Sequence, residues 1–361
     1  MNLWYVSMIF KKLELNKKIL SNRISVSSMC QYSANNGSPS NWHYKHLSSL
    51  MSSGAGSLML ESTAVSKIGK ITYKDLAIYS KKQTNDLKKL LIYLKKLNNK
   101  MPVGIQISHS GRKGSANLPW IKKGKSLSKK NNSWITAAPS PIKRSLGWPK
   151  PKEMNIQDIK KLIKDFKKAA SAANYAGFDA LEIHMAHGYL LHQFMSPISN
   201  IRNDKYGGSL NNRCRLLIEI SQIVRKVWPK NKILGARITG SDHLPGGIDI
   251  EDSIYLVKNL EKIGFDYVCV SSGGILPKTN MKFKMGFRTK ISKKIKNKTR
   301  LKVSTTGMLG NLKLIEKGIN NKNFDFVAIG RPFLKNPRWI FESVNNTKYN
   351  EILPNQYLRG F

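Results

Sequence analysis

Short apolar runs alternate with longer amphipathic segments along most of the chain. Eight runs read as strands: 24–29 (ISVSSM), 57–61 (SLMLE), 103–107 (VGIQI), 180–184 (ALEIH), 233–238 (ILGARI), 266–270 (DYVCV), 301–305 (LKVST) and 325–329 (DFVAI). Between them the apolar period changes to that of a helix. In 156–177, Ile156, Ile159, Leu162, Ile163, Phe166, Ala169, Ala170 and Ala173 recur at steps of three and four, and Gly177 ends the pattern. Segments 213–228 and 252–264 repeat it and stop before Pro229 and at Gly264. Strands that alternate with helices pair in parallel. Eight of them close into an α/β barrel, the (β/α)8 TIM fold. An open doubly wound sheet would need a GxGxxG turn after its first strand, and "SSMCQYSANNG" is not one. Residues 112–153 are rich in Lys, Asn, Ser and Pro, and predict a long excursion over one barrel face. Neither an internal repeat nor a linker interrupts the pattern. Residues 1–361 therefore read as a single domain with a short N-terminal lead-in and a C-terminal tail.

Composition changes this picture little. Hydrophobic residues make up 40%, enough for a large core. No run approaches the roughly 20 apolar residues that cross a bilayer, and "MNLWYVSMIFKKLELNKK" lacks the features of a signal peptide. The three cysteines, Cys30, Cys214 and Cys269, are odd in number and lack CxxC spacing. They argue against a disulfide framework, a zinc site or an iron–sulfur cluster, and fit a reducing cytoplasm. The net charge of +41 invites a nucleic-acid or membrane partner. The excess, however, is 49 Lys against 13 Arg, spread along polar helix faces as in "DIKKLIKDFKKAA". With no basic tail and no aromatic-interleaved basic segment, neither partner is expected.

A TIM barrel collects its chemistry at the carboxyl ends of its strands. There the sequence places Met29, Cys30 and Tyr32; Glu61, Ser62 and Thr63; Gln106, His109 and Arg112; His184, His187 and Tyr189; Arg237; "SSGG" at 271–274; Gly307; and Gly330 with Arg331. The loops after strands seven and eight commonly hold a phosphate in barrels. Gly307 and Gly330 allow close backbone approach there, and Arg331 offers a two-pronged donor, although both glycines also suit ordinary turns. His184 and His187 have no carboxylate at ligand spacing, so no metal site is expected. Cys30 has no histidine base beside it in sequence, which leaves a nucleophile and an inert thiol both open. Arg237, inside an apolar strand, needs an anionic or strongly accepting partner.

These residues stand in blocks: "NRISVSSMCQYSA", "ESTAV", "IQISHSGRKGS", "AGFDALEIHMAHGYLLHQFMSPISNIRNDKYGGSLNNRCRL", "ARITGSDHLPGG", "VSSGG", "IGRPFLKNPRW" and the terminal "NQYLRGF". In that order they resemble the Old Yellow Enzyme family of FMN-dependent ene-reductases, in particular its shorter bacterial subclass with a cysteine beside the flavin. The resemblance implies FMN across the barrel mouth, reduced by NADPH or NADH. The FMN phosphate would lie at Gly307, Gly330 and Arg331, with Gln106 on the pyrimidine edge and Arg237 near N1 and O2. Ser27, Ser28, Met29, Cys30 and Ser62 would line the ring, Cys30 tuning its potential. It further implies that His184 and His187 hold the carbonyl oxygen of an enone or enal, that Tyr189 protonates the alkene carbon, and that Tyr32 touches substrate. Arg359 would reach a neighbouring subunit's site from a tail anchored by Tyr357 and Leu358, in a homodimer or homotetramer. Ser28, Ser62, Met185 and Lys205 depart from the family's usual Pro, Ala, Gly or Ala, and Glu; Met185, between the histidines, implies a narrower pocket. The competing reading is a flavin barrel acting on RNA, of the dihydrouridine synthase kind, for which the +41 charge is the best support.

Overall fold

A computed structural model describes residues 7–343 and 354–360. Eight strands form one closed, all-parallel barrel. They are β1 (Ile24–Val26), β2 (Ser57–Ala64), β3 (Val103–Ser108), β4 (Ala180–Met185), β5 (Ile233–Thr239), β6 (Tyr267–Ser271), β7 (Lys302–Thr305) and β8 (Phe326–Ile329). Each pairs with its sequence neighbours, and β8 closes on β1 with Val327 opposite Ile24. The TIM barrel predicted from the alternating pattern is the fold observed. One strand differs in length: β1 stops at Val26 rather than running to Met29. The Ser27 N–H still bonds the Ile329 carbonyl at 2.8 Å, after which the chain lifts over the barrel mouth and turns at Tyr32 (φ +50°).

The helices follow the apolar periodicity. They include α1 (Asn41–Met51), α2 (Lys81–Leu97), α3 (Ile156–Ala176), the short α4 (Leu190–Met195), α5 (Leu210–Val227) and α6 (Ile250–Ile263). Asn155 and Asp249 cap α3 and α6 from their side chains, and Gly177 and Gly264 end them in the left-handed conformation. The inward stripe Ile159, Leu162, Phe166, Ala169, Ala170 and Ala173 is buried against the outer faces of the strands. Beyond β6 to β8 come α7 (Thr289–Lys296), α8 (Leu312–Asn320) and α9 (Arg331–Lys335).

Two features are not legible in the periodicity. A hairpin, Leu13–Leu15 paired with Lys18–Leu20, places Leu13, Leu15 and Leu20 against Ala180, Ile233 and Phe326, closing the N-terminal end of the barrel. The excursion after β3 carries 3₁₀ turns and a two-stranded ribbon, Ala137–Ala138 with Lys152–Glu153. Arg112 pins it by donating to the carbonyls of Ile142 (3.3 Å) and Ile275 (2.9 Å). No helix of the described residues is long and apolar enough to cross a membrane, and no three or more of their His, Cys, Asp and Glu side chains cluster as a metal site would.

Candidate active site

Strand β4 delivers the central cluster. Side chains alternate across a strand, so His184 points into the barrel while its neighbour Met185 packs outward in the barrel–helix core. The narrowing expected of Met185 is therefore overturned by the pleat. The chain then turns at His187 (φ +58°) and Gly188 (φ +70°). A side chain at Gly188 would meet the Gly274 carbonyl at 2.0 Å, and one at Gly274 would meet the His187 backbone at 2.8 Å. "HGY" and "SGG" are thus two loops in backbone contact, and the turn swings Tyr189 back over His184.

The two imidazoles are bonded in sequence. The Ala186 N–H donates to His184 Nδ1 (3.1 Å), which leaves the proton of a neutral ring on Nε2. That nitrogen faces His187 Nδ1 at 3.1 Å, and His187 Nε2 in turn faces Ser271 Oγ at 2.6 Å. Burial, reinforced by the Arg237 charge, pushes both histidines well below their ordinary pKa, so both are neutral at pH 7. The expected pair of histidine donors comes together, but each N–H already has a protein acceptor. Tyr189 lies edge-on to His184, with ring centroids 4.8 Å apart. Burial pushes its phenol up, with the Cys30 and Asp75 groups acting the same way, so it keeps its proton.

Cys30, Tyr32 and Tyr189 pack together against Ile71, Ala116 and Trp148. The Cys30 thiol is raised well above its ordinary pKa by burial and then by the Glu61 and Asp75 carboxylates. It is a thiol and not a thiolate, which favours the inert alternative over the nucleophile. Glu61 itself faces away, holding His43 Nε2 (3.1 Å) and the Gln31 N–H (3.0 Å). A register shift in β2 sets Ser62 opposite Gln106. Gln106 donates to Glu182 (2.6 Å) and accepts from Ser28 (3.0 Å). Buried Arg237 donates to Ser27 Oγ (3.0 Å), and its Nε has no partner among the described residues. Ser27, Met29, Arg237, Gly307, Gly330 and Arg331 line one cleft of about 240 Å³ beside His187.

Other residues singled out in the sequence fall outside this cluster. His109 is a buried structural group whose Nδ1 accepts the Gly111 N–H (3.1 Å). Lys205 stacks on Tyr206. Tyr357 lies beneath the Arg338 guanidinium (4.1 Å), in a groove with Met51, Ala55 and Met101 near the starts of β2 and β3, and Arg359 is exposed. The Leu358 side chain and Phe361 lie outside the described residues.

Four contributors are not apparent from the sequence pattern at the strand ends. Arg288, at the start of α7, stacks on Phe287 and donates to Ser272 Oγ (2.8 Å) and Thr306 Oγ1 (3.0 Å) in the phosphate-side cleft. It stands far from any strand end along the chain. Lys113, next to Arg112, donates to the His187 carbonyl (2.7 Å) and sits 4.9 Å from the Tyr189 ring. Burial, then Arg144 and Arg112, lower its pKa to about 7. His192 and Asp242 form a fully buried pair (2.9 Å), and His192 Nδ1 accepts the Gly188 N–H (2.7 Å), fixing the turn that aims Tyr189. Glu182 does carry a signal in the sequence, as an acid inside an apolar strand.

The mouth of this TIM barrel thus sets a cationic cleft, suited to a phosphate-bearing cofactor, directly beside a neutral imidazole–phenol cluster. The chain belongs to the NADH:flavin oxidoreductase / NADH oxidase family, whose sequence profile matches residues 8–350, and so to the Old Yellow Enzyme family. It is 36% identical over 357 residues to an NADPH dehydrogenase of Clostridium acetobutylicum, covering 98% of this chain and 99% of the relative. It is 35% identical to an NADH:flavin oxidoreductase of Gibberella zeae, covering 96% and 88%. Its fold matches morphinone reductase in complex with tetrahydroNAD (TM-score 0.77, 22% identity, 94% of this chain and 92% of that one). The old yellow enzyme homologue from Zymomonas mobilis matches equally (TM-score 0.77, 22% identity, 94% of each chain). This protein is accordingly an NAD(P)H-dependent oxidoreductase with FMN as cofactor. The cleft fits that cofactor: Arg237 carries a buried donor without a protein partner among the described residues, and Arg288 and Arg331 supply charge where a phosphate would sit.

Proposed function

We propose that this protein reduces the activated C=C bond of α,β-unsaturated carbonyl compounds such as enones and enals. The observation that carries this reading is a proton-retaining Tyr189 held edge-on to His184 at the carboxyl end of β4, beside the Arg237 cleft. FMN, when bound, would supply the hydride chemistry between NADPH or NADH and the alkene. The protein's own residues do the rest. Two neutral imidazoles donate to the substrate carbonyl oxygen and stabilise the charge that develops there. To do so, His184 exchanges its 3.1 Å bond to His187, and His187 its 2.6 Å bond to Ser271, for the substrate oxygen. Both are neutral–neutral bonds, and a developing enolate is the stronger acceptor. Tyr189 then gives its proton to the alkene carbon; a phenol raised by burial holds that proton until an enolate forms. Arg237, whose Nε has no partner among the described residues, would hold the cofactor's ring edge and set a positive charge beside it. Ser27, Ser28, Met29, Cys30, Ser62 and Gln106 shape its ring site, Gly307, Gly330 and Arg331 its phosphate site, and Tyr32 contacts substrate.

The deciding experiment is anaerobic stopped-flow on the purified flavoprotein. NADPH or NADH should bleach the flavin absorbance, and 2-cyclohexenone should restore it without oxygen. A flavin that NAD(P)H reduces but that no enone, enal or nitroalkene reoxidises refutes the ene-reductase reading. Reoxidation by unmodified tRNA instead would favour the RNA-directed alternative.

A further inference from the structure

Glu182 is the one carboxylate on the inward face of β4, one pleat below His184. It is 4% exposed, and both its oxygens are used. Oε1 accepts from Gln106 Nε2 (2.6 Å) and Oε2 from the Tyr267 hydroxyl (3.0 Å). Tyr267 reaches it because β5 carries Gly235 alongside; a Cβ there would come within 2.1 Å of the Tyr267 ring. The neighbours that face Glu182 are Gln106 from β3, Arg237 from β5, and Tyr267 and Cys269 from β6.

An ionised carboxylate only accepts hydrogen bonds. It therefore forces the Gln106 amide to turn its NH₂ inward. The Gln106 carbonyl oxygen is then the outward atom, and Ser28 Oγ donates to it at 3.0 Å. The amide thus has one orientation, fixed from both ends, and its second carbonyl lone pair remains for a donor in the cleft. Glu182 also sets a negative charge beneath the cationic Arg237.

We propose that Glu182 is a positioning residue for the cofactor: it fixes the Gln106 amide and counterbalances Arg237 beneath the flavin. It touches neither substrate nor cofactor. This role depends on FMN binding, not on which alkene is reduced. A group taken into the barrel interior holds its proton more tightly, and burial does raise the Glu182 pKa against the opposing Arg237 charge and its two hydrogen bonds. Protonated Glu182 would lose its charge and would hold the amide only through its remaining acceptor oxygen, as a weaker neutral–neutral bond.

The test is E182Q, an isosteric change that keeps the volume and removes the charge. Reconstituting apoprotein with FMN should show affinity weaker by roughly 10-fold or more, the worth of one hydrogen bond to a charged group. The FMN midpoint potential should rise, because uncompensated Arg237 favours the anionic reduced flavin. As pH falls and wild-type Glu182 takes up a proton, the two proteins should converge in potential. With Q106L, the losses of FMN affinity should be less than additive, since both act through one amide. Additive losses, or equal potentials and affinities within twofold, overturn the proposal. A constant potential gap across pH overturns the counter-charge. If E182Q fails to fold, S28A addresses the amide from its other end and should weaken FMN about threefold; unchanged binding overturns the fixed amide. A wild-type protein that takes up no FMN would refute the cofactor itself, a separate failure.

Discussion

The two ends of the barrel are built from the same strands and share almost no chemistry. Taking every second residue along β4 gives Ala180, Glu182, His184; along β5, Ile233, Gly235, Arg237; along β6, Tyr267, Cys269, Ser271. The first members join the hairpin leucines in an apolar plug; of the last members, Arg237 and Ser271 line the cleft at the mouth and His184 bonds His187 beside it. Each strand crosses from oil to polar groups within about 13 Å, four rises of roughly 3.3 Å. Around β4 the polar end keeps its groups neutral or paired: two uncharged imidazoles, a protonated phenol, a thiol held as a thiol, and an arginine set against a carboxylate, while the charges of Arg288 and Arg331 stay on the cleft side. The lesson is a division of labour along the barrel axis, in which one end supplies stability and the other a low-dielectric site whose dipoles are fixed in advance.

The sharpest way to break the polar end alone is Tyr189→Phe. It removes one oxygen and leaves the ring edge-on to His184. Alkene reduction should slow by about 10²–10⁴-fold, the range for a general acid, while flavin reduction by NAD(P)H continues. Stopped-flow measurement of both half-reactions checks this; equal slowing of the two would remove Tyr189 from the role.

The apolar end should answer differently. Leu20 is 1% exposed in the plug. Leu20→Ala should cost about 2–5 kcal/mol of stability through the cavity it leaves, read by denaturant unfolding. Activity per folded molecule should stay unchanged. If kcat falls with stability, the two ends are coupled and the division of labour is wrong.

How much of this contrast the sequence carries depends on distance along the chain. The barrel is legible because eight apolar runs alternate with 3.6-period segments, and the chemistry of β4 is legible because His184, His187 and Tyr189 sit within six positions. The hairpin plug is not, since "LEL" and "KIL" are too short to register as strands. Nor is Arg288, which arrives from a loop remote from every strand end, or the His192–Asp242 pair, whose members are joined only by the fold. The pleat also corrects one expectation: proximity to the histidines in sequence puts Met185 in the pocket, but alternation turns it to the opposite face. Counting from His184 in steps of two places Met185 correctly.

Within the polar end, His184→Ala and His187→Ala separate the paired histidines from the general acid. Phenols mimic the enolate oxygen, and losing one donor should weaken their binding by about 1.5–3 kcal/mol. Spectral titration of the oxidised flavoprotein with 4-hydroxybenzaldehyde measures it. Because His184 Nε2 faces His187 Nδ1, the two losses should be less than additive in the double variant. Unchanged titrations in both single variants would mean that the ligand oxygen binds elsewhere.

The smallest expected effect lies outside both ends, in the tail. Arg359 is exposed, while Tyr357 packs beneath Arg338 near the N-terminal side of the barrel. Within a single chain the guanidinium has no evident role, and an exposed terminal arginine is ordinarily a solvated one. The family resemblance supplies a role in a two-fold assembly, where Arg359 would reach the partner's mouth and add positive charge near the substrate, reciprocally. An exposed charge contributes little, about 0.2–1 kcal/mol, so Arg359→Ala should raise KM for an enone only a few-fold, with kcat and assembly intact. Deleting 356–361 should do the same and also weaken that two-fold assembly, because it removes Tyr357 with the arginine. Sedimentation velocity and steady-state kinetics on the two variants distinguish the tail's two parts. A truncated protein that sediments as wild type with an unaltered KM would confine the site to one chain, and the contrast between the barrel's ends would then describe the whole of its chemistry.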